Sequence, residues 1–98
     1  MPSSRDYLEY VLENLILLDD ISYRQMMGEY IIYYKNKIIG GIYDNRFLVK
    51  DTKSIYSLIK EAKKELPYAG AKPMILVEEI DDKEFLKELL NCIYNDLY

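Results

Sequence analysis

The chain has 98 residues, half of them hydrophobic and 31% charged, which is the balance of one folded domain with a modest core rather than of a disordered tail. Its net charge of −4 and pI near 4.8 disfavour generic binding to nucleic acid or anionic membrane. One cysteine and no histidine exclude an internal disulfide and any Cys–His or Ser–His catalytic pair.

The opening "MPSSRDYLEYVLENL" has no basic segment leading into an apolar one, so it does not read as a secretory signal. No apolar run reaches the roughly 20 residues of a membrane-spanning helix. The expected location is the cytoplasm, with no membrane partner. Ser3 and Ser4 are natural N-caps, and Asp6 follows in the first turn, where a negative charge suits the helix dipole. Tyr7, Leu8, Val11, Leu12, Leu15 and Ile16 then recur at helical spacing. The reading is a helix from about Ser4 to Leu18, ended by Asp19 and Asp20.

From Ile21 the period changes. "ISYRQMMG", "YIIYYK", "KIIGGIY" and "RFLVK" are short and rich in β-branched or aromatic residues. "KNK" at 35–37 and Asp44-Asn45 supply turn chemistry, and Gly28 marks a turn or kink. The expectation is an antiparallel meander of three or four strands. Alternation puts Tyr30, Ile32 and Tyr34 on one face and Ile31 and Tyr33 on the other. In the next strand it groups Ile38 with Ile42 and Ile39 with Tyr43. Both faces are then apolar or amphipathic. Gly40 and Gly41 inside a strand point to a bulge or to close approach by a neighbour.

Thr52 is placed to cap a second helix, with Ile55, Leu58, Ile59, Ala62 and Leu66 as its buried stripe and Pro67 as its stop. "PYAGAKP" is a loop, and serves either as a recognition lid presenting Tyr68 or as a plain connector. "MILVEE" is a covered strand. Asp81-x-x-Glu84 has capping-box spacing, opening a third helix that carries Phe85, Leu86, Leu89, Leu90, Ile93 and Leu97. The predicted fold is α+β, two-layer, with a mainly antiparallel sheet in the order α-β-β-β(-β)-α-β-α over residues 1–98. Helices cover one face. The other exposes tyrosine and isoleucine, and such a surface marks an interface unless a loop or helix covers it.

No phosphate loop or dinucleotide fingerprint is present, and no catalytic residue, cofactor or metal site is expected. The expected role for Arg24 is an ion pair with Glu29 or an edge-strand charge, and for Lys50 a solvated turn lysine. The competing reading joins Arg24, Arg46 and Lys50 in a small basic site. Glu78, Glu79, Asp81 and Asp82 lack calcium-loop spacing and read as a strand end followed by a charged helix start. Cys92, near the stripe of the last helix, reads as a buried, inert thiol. The candidate interaction surface comprises Arg24, Tyr30, Tyr33, Tyr34, Tyr43, Lys50 and Tyr68.

The segment "RQMMGEYIIY" resembles the N-terminal domain of the TfoX/Sxy family, whose pattern reads R-x-M-F-G-G-Y-G-[IL]-Y. Arg24, Met26, Gly28, Tyr30 and Tyr33 match it, and Met27, Glu29 and Ile31 depart from it. "KNKIIGGIYDNRFLVK", "SSRDYLEYVLENL" and "LPYAGAKPM" extend the likeness over nearly the whole chain, closest to a short single-domain branch. The resemblance implies a two-layer α+β fold of the kind seen in secretion chaperones, often paired as dimers. It also implies a non-catalytic regulatory or protein-interaction module. The longer regulators carry a second, C-terminal domain with no expected counterpart here, so competence regulation is not carried over. The expected partner is another protein, with a homodimer the commonest form. A nucleic-acid-associated regulator using the mildly basic central segment, residues 21–73, with ten Lys and Arg against five acids, or a small-ligand-binding domain around "PYAGAKP", are the alternatives.

Overall fold

In a computed structural model, residues 3–98 are described. Helix α1 (Arg5–Asn14) leads into β1 (Ile21–Met26), β2 (Glu29–Tyr34), β3 (Lys37–Tyr43) and β4 (Arg46–Val49). Then come α2 (Ile55–Leu58), β5 (Lys64–Glu65), β6 (Met74–Val77) and α3 (Lys83–Leu97). The six strands form one antiparallel sheet in the order β1-β2-β3-β4-β6-β5. The fold is α+β, as the pattern of elements predicts.

The Ser4 hydroxyl caps α1, accepting from the Tyr7 N–H at 3.1 Å. The helix is shorter than its apolar pattern suggests. Leu15 closes it with a doubly shared N–H to Val11 and Leu12, and the chain leaves in a tight turn. Ile16, expected in the stripe, is 70% exposed.

The meander turns through three two-residue hairpins. Met27-Gly28, Lys35-Asn36 and Asp44-Asn45 all sit at positive φ, the backbone that matches strand twist in such hairpins. Tyr30, Ile32 and Tyr34 point into the core, and Ile31 and Tyr33 point out. The next strand corrects the expected grouping. Ile32 pairs with Gly40 but Tyr33 with Ile38, so Ile39 is an extra, bulged residue. The inserted residue shifts the alternation. Ile39 and Ile42 are both buried in the core, while Ile38 is 39% exposed. Gly40 makes the bulge fit. A Cβ there would strike the Leu48 carbonyl and lie 2.8 Å from the Val49 Cα.

The core lies between this sheet face and the helices. Leu8 and Val11 of α1, Ile55 of α2, and Leu86, Leu89, Leu90 and Ile93 of α3 join Ile32, Ile42, Phe47, Val49, Ile75 and Val77. Each such side chain contributes about 1.5–3 kcal/mol when withdrawn from water.

Two sequence expectations fail along this stretch. The long second helix is a single turn. Thr52 opens it with its carbonyl, which accepts from the Ile55 N–H at 3.3 Å, and Ser54 is the N-cap. Beyond Ile59 the chain extends and adds β5 to the free side of β6, with the Leu76 N–H donating to the Lys63 carbonyl at 2.9 Å. Pairing an open strand edge overrides the helical propensity of "IKEAKKEL", since tertiary context outweighs intrinsic preference. At α3, Asp82 rather than Asp81 is the cap, accepting from the Phe85 N–H at 3.0 Å. The capping-box spacing from Asp81 is therefore not used.

Candidate functional site

The face of the sheet turned away from the helices carries Arg24, Met26, Ile31, Tyr33, Gly41, Tyr43, Leu48 and Leu76, by register and alternation. Leu48 is wholly buried yet lies outside the main core cluster. Its cover comes from its own side of the sheet. The Tyr43 ring folds over Gly41, so close that a Cβ there would lie 2.6 Å from the ring. Tyr68, on the segment between β5 and β6, packs against Tyr43 with ring centroids 6.3 Å apart. "PYAGAKP" therefore crosses part of the outer face.

Arg46 fixes where that segment starts. Its Nη1 meets Glu65 Oε1 at 2.6 Å, its Nη2 donates to the Leu66 carbonyl at 3.1 Å, and its Nε donates to the Tyr43 carbonyl at 3.1 Å. A planar guanidinium suits such a three-point clamp. A turn closed by the Ala71 N–H on the Tyr68 carbonyl, with Gly70 at φ +84°, then presents Tyr68 65% exposed.

Two hollows flank Tyr43 and Tyr68. One, about 410 Å³, lies among Met26, Met27, Ile31 and the two tyrosines. The other is a groove of about 680 Å³ running past Ile38, Lys50, Lys64, Lys72 and Met74. Burial, with smaller contributions from Tyr68, Glu29 and Tyr33, raises the Tyr43 pKa. Its hydroxyl is neutral near pH 7.

Of the seven candidate surface residues, Tyr33, Tyr43, Lys50 and Tyr68 come together on or beside this face. Arg24 shares the face but sits on the exposed edge strand. Tyr30 and Tyr34 do not belong to the surface: they are only 4% and 5% exposed, on the core side. The Tyr34 hydroxyl donates to Asn91 Oδ1 at 2.7 Å, and its ring meets Tyr94.

Of the two roles expected for Arg24, the edge-strand charge holds, and the ion pair with Glu29 is absent among the described residues. Glu29 is a clasp instead. Its Oε1 accepts from the Ser3 N–H at 2.9 Å and the Ser3 hydroxyl at 3.2 Å, and its Oε2 accepts from the Asp44 N–H at 2.7 Å. It thus ties the start of the chain and the β3–β4 turn to the β1–β2 hairpin. Arg46, committed to Glu65, does not join Arg24 and Lys50 in a basic site.

The other bases of the central segment are also dispersed. Lys63 meets Glu78 at 3.2 Å and Lys64 meets Asp51 at 3.4 Å. Lys35 lies over the rings of Tyr34 and Tyr94, and Lys37 over Tyr98. Cys92 is half-buried rather than enclosed. Burial first, then Asp96 and Glu88, pushes its thiol pKa up, and its Sγ donates to the Leu89 carbonyl at 3.2 Å. Among the described residues no group of His, Cys, Asp and Glu is arranged to hold a metal ion, and no helix is long and apolar enough to cross a membrane.

The sequence reasoning missed Met27. It lies at φ 53° in the β1–β2 hairpin and is 96% exposed. The signal was a large apolar residue at a turn position that favours Asn or Gly.

No protein-family model matches the chain. It is similar to an uncharacterized 12.7 kDa protein in the trpE 5′ region of Spirochaeta aurantia, with 26% identity over 80 residues, spanning 82% of this chain and 70% of that one. That description names no activity.

Proposed function

We propose that the chain is a non-catalytic regulatory module that works by binding another protein, as its likeness to the TfoX/Sxy N-terminal domain implies, and that it acts in the cytoplasm. The contact is the uncovered part of the outer sheet face, from Met26 and Met27 across Ile31 and Tyr33 to Tyr43 and Tyr68. The observation that carries this reading is Met27. A fully solvated thioether side chain on a positive-φ turn adds nothing to the core and strains the backbone. Met is well suited to adaptable protein contacts, and Tyr supplies contact area with a satisfied hydroxyl. The simplest partner is a second copy of the chain.

Engagement of Arg46, Lys63, Lys64, Lys35 and Lys37 in ion pairs and ring contacts, together with the net charge of −4, weighs against the nucleic-acid alternative. The test is affinity capture from native lysate, with an untagged copy co-expressed, with and without nuclease. Wild type and Ile31→Glu are compared side by side. The expected result is a protein partner, or the untagged copy, that survives nuclease and is lost with Ile31→Glu. Capture that disappears with nuclease, or that Ile31→Glu leaves intact, refutes the reading.

A further inference from the structure

The groove on the other side of Tyr68 has a different chemistry from the protein-contact surface. We propose that it binds a small anionic molecule with a flat apolar body. This inference does not depend on the protein-contact reading.

Size is the first argument. A hollow of about 680 Å³ falls within the ~300–1,000 Å³ of small-molecule sites. Its walls are the second. Ile38, Met74 and Leu97 offer apolar surface, and the rings of Tyr43 and Tyr68, tilted by 55°, present faces and edges that suit a planar group.

Charge is the third, and it selects an anion. Lys50, Lys64 and Lys72 line the groove against one acid, Asp51. Asp51 is already engaged. Its Oδ2 meets Lys64 Nζ at 3.4 Å, and its Oδ1 accepts from the Tyr56 hydroxyl at 2.7 Å. That leaves Lys50 and Lys72, neither of which is ion-paired among the described residues. In a chain of net charge −4, two uncommitted ammonium groups beside an apolar wall make a local field opposite to that of the whole.

Lys50 is anchored through its backbone, and Lys72 lies on the segment between β5 and β6. The Lys50 N–H donates to the Ile39 carbonyl at 3.0 Å. Lys72 stands between Ala71 and Pro73 on the segment that Arg46 clamps at its start. The half-buried Lys50 is the better shielded of the two and should hold an anion more firmly than the exposed Lys72 does.

The probe is anilinonaphthalene sulfonate, an anionic aromatic fluorophore, with uncharged phenylnaphthylamine as its control. The variants are Lys50→Ala, Lys72→Ala and the pair. The expected result is one sulfonate bound per chain. Each single substitution weakens it by roughly tenfold, the lower end for a hydrogen bond to a charged group. The neutral probe is unaffected. Unchanged thermal midpoints show that the variants remain folded, and protein capture that persists in them separates this site from the protein-contact face. Sulfonate binding that ignores both lysines, or equal losses for the neutral probe, overturns the proposal. So does the absence of any saturable binding.

Discussion

Met27→Asn separates what a residue does for the fold from what it does for a partner. Met27 occupies the first central position of the β1–β2 hairpin at φ 53°, and its side chain is 96% exposed. A left-handed conformation costs an ordinary L-residue about 1–2 kcal/mol, and Asn tolerates it best among non-glycine residues. The substitution gives up little packing, because so little of Met27 is covered. The predicted net effect is therefore a stabilisation of about 1 kcal/mol. For a domain of this size that corresponds to a rise in thermal midpoint of about 4–8 °C. Urea denaturation checks the same figure through a higher midpoint at unchanged slope. Capture of the protein partner, measured in parallel, should fall. A variant that is less stable than wild type would show that Met27 packs, which refutes the strain argument. A more stable variant with undiminished capture would keep the strain argument and remove Met27 from the contact.

Glu29→Ala removes the carboxylate that accepts from the Asp44 N–H and from the Ser3 N–H and hydroxyl, while the Ser3 N–H keeps the Gly28 carbonyl at 3.0 Å, and should cost about 1.5–3 kcal/mol in urea denaturation. Gly40→Ala pushes a methyl group into the β4 backbone and should cost about 1–3 kcal/mol, seen as a lower thermal midpoint with the same far-UV spectrum. The Asp96 carboxyl is held below its ordinary 3.8, chiefly by the Ser54 hydroxyl at 2.7 Å and then by the Ser54 N–H at 2.8 Å. Its contribution is complete above the unfolded value and is lost as pH falls through the lower folded one. The urea midpoint of wild type should accordingly drop more steeply below about pH 4 than that of Asp96→Asn.

Much of the fold was legible because local chemistry and global need agreed. Ser4 caps as its side chain predicts, and Lys35-Asn36 and Asp44-Asn45 turn as theirs predict. Gly40 and Gly41 mark a bulge and a close approach. The face assignment of β2 followed from alternation alone. Alternation failed in β3 because one inserted residue, Ile39, reverses the parity of the residues before it, and no side chain announces an insertion that the partner strand defines. The second helix failed for a related reason. "IKEAKKEL" has helical propensity, but β6 offers an open edge, and that edge is visible only in three dimensions. Glu29 was read as a partner for Arg24 because the two lie close in sequence. The groups it serves, Ser3 and Asp44, are brought to it by the hairpins.

Of the two expectations for the outer face, a covering loop holds over part of it, where Tyr68 packs on Tyr43, and the part left open is the contact proposed above. The Tyr43 ring closes over Gly41 and Tyr68 packs on Tyr43, while Met27 and Ile38 stay open. Tyr43 and Tyr68 line the hollows on both sides of the Tyr68 segment. A small anion seated against these rings on the lysine side would change the surface they present on the methionine side. The two proposed contacts are then linked. By reciprocity, whatever factor the anion imposes on the partner's affinity, the partner imposes on the anion's. Measuring sulfonate affinity with and without the captured partner reads that factor directly. A ratio of one would mean that Tyr68 is held too rigidly by Tyr43 and the Arg46 clamp to carry any signal between the two sides.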